Sequence, residues 1–158
     1  MATATRRLLT AEEFGRLPDN DLVEELARGK IVASPLPGFA HGFACAAIGC
    51  RLASFLEERD IGHALARSAV ITQRDPDTVC GPDATYYSCD KLPKGPLSSD
   101  YGPEIPELVF EVLSSSDRWP DLLEKVAEYL NAGSLAAAVL DPKARAAHVY
   151  RSETPPVT

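Results

Sequence analysis

The chain lacks most of the short signatures that assign a chemistry at sight. No Gly-x-x-x-x-Gly-Lys run is present to cradle phosphates, so phosphoryl transfer through a P-loop is not supported. Ser114, Ser115 and Ser116 follow an apolar run without a glycine elbow, which reads as a polar turn and helix cap rather than a nucleophile. Cysteine is scarce. Cys45, Cys50, Cys80 and Cys89 are too few and too irregularly spaced for a disulfide framework, and none forms the Cys-x-x-Cys pair of common zinc sites. They read as reduced packing residues. His41 with Cys45 and Cys50 would supply only three soft ligands, and Cys50 is not one or two turns from Cys45, so a metal cluster there is not the favoured reading.

Long apolar runs and a basic surplus are missing as well. No run reads as long enough to span a bilayer, and Met1-Ala2-Thr3-Ala4-Thr5-Arg6-Arg7 lacks the apolar core of a secretory signal. The expectation is a cytoplasmic protein with no membrane partner. Lys and Arg number 16 against 23 Asp and Glu, for a net charge of −7. That argues against a protein that grips nucleic acid by electrostatics alone, because such affinity comes from neutralising phosphates. A metal-dependent nuclease remains open, since bound cations offset its acidic cluster.

What is present fits one ordinary globular domain, residues 1–158, with 45% apolar and 25% charged residues. Thr10-Ala11-Glu12-Glu13 is a capping box that opens a short helix running to about Leu17, before Pro18. Residues 22–27 and 30–34, joined at Arg28-Gly29, predict a β-hairpin. Between residues 41 and 59, Ala44, Ala47, Ile48, Leu52, Phe55 and Leu56 recur at helical intervals and leave Arg51, Glu57, Glu58 and Arg59 to water. Residues 63–73 predict one strand, ended by Asp75-Pro76-Asp77, and residues 84–88 and 108–113 predict two more. Four prolines and two glycines within residues 91–106 predict a long exposed loop of the kind that borders sites. Pro120 and Asp121 open a second long helix with Leu122, Leu123, Val126 and Leu130 as its buried stripe and Asn131-Ala132-Gly133 as its stop. Residues 135–140 and 147–151 predict two further strands, and residues 152–158 a frayed end.

The feature that calls for a chemical explanation is acidic. Asp83 follows Pro82 ahead of a strand, Glu111 sits inside the apolar strand Leu108-Val109-Phe110-Glu111-Val112-Leu113, and Lys125 lies on the next helix. A carboxylate among apolar neighbours needs a partner such as a cation or a set of donors. Taken singly, Asp83 suits a turn, Glu111 an ion pair, Lys125 a solvated helix face, Glu25 an edge-strand salt bridge and His41 a helix start. Their order along one chain carries the argument.

That order, with Thr10-Ala11-Glu12-Glu13-Phe14, Glu24-Glu25-Leu26, Gly29-Lys30-Ile31-Val32, Ser34-Pro35, His41-Gly42, Ser116-Asp117-Arg118, Tyr129, Gly133 and Asp141-Pro142, resembles the Uma-type family. This is a restriction-endonuclease-fold family of the PD-(D/E)XK nuclease superfamily, formerly a domain of unknown function. The resemblance spans roughly residues 10–150. It implies an α/β restriction-endonuclease-like domain: a mixed, mainly four-stranded sheet flanked by helices, with the hairpin at the N-terminus. It also implies Asp83, Glu111 and Lys125 as catalytic residues, with Mg²⁺ or Mn²⁺ held by Asp83, Glu111, the backbone carbonyl of Val112 and, as a further acid, Glu25. Superfamily members usually place the lysine two residues after the second acid, which here is Leu113; the family's displaced helix lysine maps onto Lys125.

The implied activity is a metal-dependent endonuclease acting on DNA; the alternative is a catalytically silent relative that binds nucleic acid or a protein. A basic patch from Arg6, Arg7, Arg67, Arg74 and Arg118 would favour the nuclease. The chain departs from the family pattern at Ser115, where a proline is usual, and in the Leu135-Ala136-Ala137-Ala138-Val139-Leu140 run, which lacks an aromatic residue. Relatives usually continue through further strands after Tyr150, so a shortened C-terminal end is expected. An exposed sheet edge there, and the superfamily's habit of cutting both strands as a pair, imply a homodimer.

Overall fold

In a computed structural model, residues 7–18, 20, 22–152 and 154–157 are described, the last four for their backbone alone. The first helix, α1 (Ala11–Gly15), begins at the predicted capping box. The Thr10 hydroxyl accepts from the Glu13 amide at 3.2 Å, and the Glu13 carboxylate accepts from the Thr10 amide at 3.1 Å. Strands β1 (Val23–Ala27) and β2 (Lys30–Ser34) form the hairpin. Arg28 and Gly29 both have positive φ, 48° and 74°, as a two-residue turn matched to strand twist requires. Glycine is needed at 29 for space as well: a Cβ would lie 2.6 Å from that of Leu8.

Helix α2 (Phe39–Glu57) follows, two residues ahead of the predicted span at both ends. By length and composition it is the one helix among the described residues long and apolar enough to cross a membrane, which corrects the expectation that no run reaches that length. Its apolar character is spread over Ala, Gly and Cys, so no continuous run of large side chains announces it. It packs against β3 (Gly62–Ala66), β6 (Ala84–Ser88) and β7 (Leu108–Val112).

The predicted strand 63–73 is two strands in different sheets. β3 ends at Ala66, Arg67 turns the chain with φ 49°, and β4 (Val70–Gln73) joins the other sheet. Composition is β-like on both sides of the break, so periodicity alone passes over it. A three-residue strand, β5 (Thr78–Cys80), was not expected and pairs with both β4 and β1. Helix α3 (Trp119–Ala132) carries Pro120 in its first turn and stops at Gly133, whose φ of 113° is left-handed. β8 (Ala136–Asp141), β9 (Ala146–Arg151) and β10 (Thr154–Val157) complete the chain. β10 corrects the expected frayed end: its backbone pairs with β9, while Glu153 and Thr158 lie outside the described residues.

Two sheets result, in place of the one four-stranded sheet expected. The smaller has the order β2-β1-β5-β4, and the larger is β10-β9-β8-β7-β6-β3. All pairings are antiparallel except β7 with β8, which are parallel and joined through α3. The main core, Val70, Cys80, Val109, Leu122, Val126, Tyr129, Ala137 and Val139, brings α3 against strands of both sheets. A smaller cluster of Ala11, Leu26, Ile71 and Val79 lies under α1. Leu123, expected in the α3 stripe, is 42% exposed, and the fully buried Tyr129 takes the inward place instead. Segment 91–106 has neither helix nor strand, as expected.

Candidate active site

The acidic residues reach one place because the two sheets meet beside α3. Strand β7 alternates, so Val109 and Glu111, two residues apart, turn to the same side, where Val109 enters the core and Glu111 meets Tyr129 of α3. The Tyr129 hydroxyl donates to Glu111 Oε1 at 2.7 Å, and Lys125 Nζ, one turn earlier on α3, lies 3.5 Å from the same oxygen. Glu25, in the middle of β1, comes from the small sheet: its Oε1 accepts from Lys125 Nζ at 2.8 Å and from the Gly81 amide at 2.7 Å.

Asp83 sits where β5 gives way to β6. Its Oδ2 accepts from the Val112 amide at 2.8 Å. An amide and carbonyl of one strand residue point to the same side, so the Val112 carbonyl also faces Asp83. The same oxygen is 3.2 Å from His41 Nε2, on the first turn of α2. Cys45, one turn along, holds its Sγ 3.4 Å from His41 Nδ1 and 4.0 Å from Nε2. All these groups except Cys45 and Tyr129 line a single open cleft of about 420 Å³ between the hairpin, the start of α2 and α3.

Burial sets the electrostatics. It pushes the Glu111 carboxyl up to about 7, against the opposing pull of Lys125 and the Tyr129 hydrogen bond. Burial works against the charge on Lys125, yet Glu111 and Glu25 outweigh it and hold the lysine above its ordinary value. Burial, followed by Asp83, raises the Cys45 thiol to about 12. Lys125 is therefore held as a cation, and Glu111 is a carboxyl whose charged form burial disfavours.

Asp83, Glu111, Val112, Lys125 and Glu25, the residues singled out in the sequence, are all brought to this cleft. Two partners are additions. Tyr129 figures in the sequence only among the residues that carry the family resemblance, and His41, which the sequence suggested as a helix-start residue, faces Asp83. The imagined His41, Cys45 and Cys50 grouping is not formed: Cys50 is exposed, and Asp83 stands with His41 and Cys45 instead. The i, i+4 spacing of His41 and Cys45 was the available signal, and nothing in the sequence tied it to Asp83.

The basic patch is only partly assembled. Arg67 and Arg118 line the cleft, Arg118 in a bidentate pair with Asp121, whereas Arg7 pairs with Glu13, Arg74 with Glu12 and Asp77, and Arg6 lies outside the described residues. No residue of loop 91–106 lines the cleft; the loop borders a separate hollow beside β3.

Residues 11–157 match the sequence model of the Uma2 family, described as "Putative restriction endonuclease". The chain belongs to the Uma2 family. A crystal structure from Anabaena variabilis ATCC 29413, titled "a putative nuclease belonging to DUF820", superimposes with a TM-score of 0.83 at 20% identity, covering 94% of this chain and 83% of that one. At that identity the likeness shows the fold, a restriction-endonuclease-like α/β arrangement. A search of curated proteins finds no match. Uma2 membership and the fold together support a nuclease-type function.

Proposed function

We propose that this Uma2 protein is a Mg²⁺- or Mn²⁺-dependent endonuclease that hydrolyses DNA phosphodiester bonds. The observation that carries the reading is the convergence of Asp83 from the β5–β6 junction, Glu111 from β7 and Lys125 from α3 on one cleft. The donor set suits a hard cation: two carboxylates and the Val112 carbonyl are all oxygen ligands. A buried carboxyl pushed up to about 7 is also a group that a cation would stabilise in its charged form. Asp83, Glu111 and Val112 would hold the ion, which supplies charge to a phosphoryl oxygen and acidifies bound water.

The remaining work falls to the chain's own groups. Lys125, charged throughout the neutral range, offsets negative charge developing on the phosphate and does not serve as a base. Glu25 is read as its anchor rather than as a cation ligand, because its Oε1 is already engaged by Lys125 and the Gly81 amide. Tyr129 fixes the Glu111 carboxylate by its hydrogen bond. Arg67 is placed to meet the backbone of a bound strand, Arg118 would have to leave Asp121 to join it, and two copies acting together would address both strands of a duplex.

Nicking of supercoiled plasmid with Mg²⁺ or Mn²⁺, and with EDTA as control, tests this directly. Metal-dependent nicking by the parent protein, lost in Asp83→Ala and Lys125→Ala, is the expected result. Equal product from the parent and both variants would overturn the assignment. The second reading, a silent nucleic-acid- or protein-binding module, draws on the net charge of −7 and on the arginines engaged by acidic partners. It would be favoured by metal binding without nicking.

A further inference from the structure

Asp83 belongs to two donor sets at once. Toward β7 it accepts from the Val112 amide and shares the cleft with a second carboxylate, Glu111. Toward α2 it meets an imidazole and a thiol, with the ligand atoms of His41, Cys45 and Asp83 all within 4.8 Å of one another. For tetrahedral zinc with ordinary bond lengths, nitrogen-to-oxygen and nitrogen-to-sulfur edges are about 3.3 and 3.6 Å. His41 Nε2 lies 3.2 Å from Asp83 Oδ2 and 4.0 Å from Cys45 Sγ. The sulfur lies nearer Nδ1, at 3.4 Å, so the Cys45 side chain, a single residue on a regular helix turn, has to swing toward Asp83 to complete the set.

We infer that His41, Cys45 and Asp83 form a zinc-class cation site that shares Asp83 with the nuclease centre, so that zinc occupancy withdraws Asp83 from the catalytic ion. Mixed nitrogen, sulfur and oxygen donors select borderline cations over Mg²⁺, and Zn²⁺ stands well above Mn²⁺ in affinity for such ligands. Three protein ligands leave one position for water, the pattern of an exchangeable rather than a closed structural site. Binding releases the Cys45 thiol proton to solvent. The inhibitory consequence rests on the nuclease reading; the site itself does not.

The test is a titration of the metal-free protein with Co²⁺, read by the near-ultraviolet charge-transfer absorption of a cobalt-bound thiolate, followed by displacement with Zn²⁺. One equivalent of cobalt is expected to produce the band in the parent and in Cys50→Ala, whose thiol is exposed on the same helix, and not in Cys45→Ala. Zinc affinity should fall in Cys45→Ala and His41→Ala by at least the roughly 10–100-fold that loss of even an outer-shell partner causes. Cobalt binding without a thiolate band, or a band that survives Cys45→Ala, overturns the site. In the plasmid assay, equimolar zinc should suppress Mg²⁺-supported nicking by the parent, and the ratio of nicking with and without zinc should return toward one in Cys45→Ala. A zinc-insensitive parent that shows the cobalt band would keep the site and overturn its link to the nuclease. Failure of the nuclease reading appears separately, as absence of nicking before any zinc is added.

Discussion

Helices α3 and α2 both pack on the large sheet and both deliver side chains to the cleft, but they are built on opposite plans. On α3, Leu122, Val126 and Tyr129 recur at helical spacing and are buried, while Asp121 and Glu124 are exposed. On α2, nearly every residue is apolar or small, yet Leu56 alone is buried, Phe39 is fully exposed and Phe43 is 79% exposed. A helix with one apolar stripe has one way to dock, so its functional residues are fixed by the same pattern that fixes its orientation. A helix that is apolar all round leaves its docking face to be decided by the sheet. The difference predicts that substitutions on α3 disturb fold and site together, whereas most of α2 tolerates change.

The largest effect is expected at Lys125. Removing one partner from a buried ion pair costs about 3–5 kcal/mol, and with 27% of this side chain exposed Lys125→Ala should fall near the low end. The cost depends on pH through Glu111. Its carboxyl is raised from 4.5 to about 7, so its contribution to stability is fully present below 4.5 and is lost as pH rises through 7. Lys125 limits that loss. Lys125→Ala should therefore be destabilised much more at about pH 8, where Glu111 must ionise without its cation, than at about pH 5.5. Urea midpoints at the two pH values measure this, and an equal loss at both would mean that Glu111 and Lys125 are not coupled.

Leu122→Ala follows, with an expected loss of about 2–5 kcal/mol because it empties part of the interface between α3 and the sheets. Tyr129→Phe should cost about 1–3 kcal/mol, since it keeps the ring and removes the hydroxyl that donates to the buried Glu111 carboxylate. Its effect on metal affinity sharpens the comparison further. If Glu111 holds the cation, isothermal titration of Mn²⁺ should show weaker binding in Tyr129→Phe with little change in cleft shape.

The legible parts of the sequence were those where local chemistry and global packing agree. The capping box at Thr10, the Arg28-Gly29 turn, the Pro120 entry and Gly133 exit of α3, and the apolar run holding Glu111 each form as their residues suggest. Asp83, Glu111 and Lys125 could be picked out because each breaks a local expectation in a set order. What remained hidden was long-range. Arg67 sends one β-like segment into two sheets by a single left-handed residue, and no periodicity records that change of partner. His41 was hidden for a related reason: a histidine near a helix start becomes part of a site only through Asp83, far along the sequence just ahead of β6, a strand that α2 packs against.

The smallest effect is expected on the outer side of α2, and it is the one that could break the comparison. Phe43 is 79% exposed, so Phe43→Gln removes no core contact, and glutamine is a good helix former. Surface substitutions of this kind change stability by no more than about 0.5 kcal/mol. Urea unfolding of Phe43→Gln at two protein concentrations provides the measurement. A change within that range at both would leave α2 as a helix held mainly by its inner residues. A loss of about 2 kcal/mol, the size associated with burying an aromatic side chain, would mean that Phe43 is covered in solution, and a concentration-dependent loss would assign the cover to a second copy of the chain.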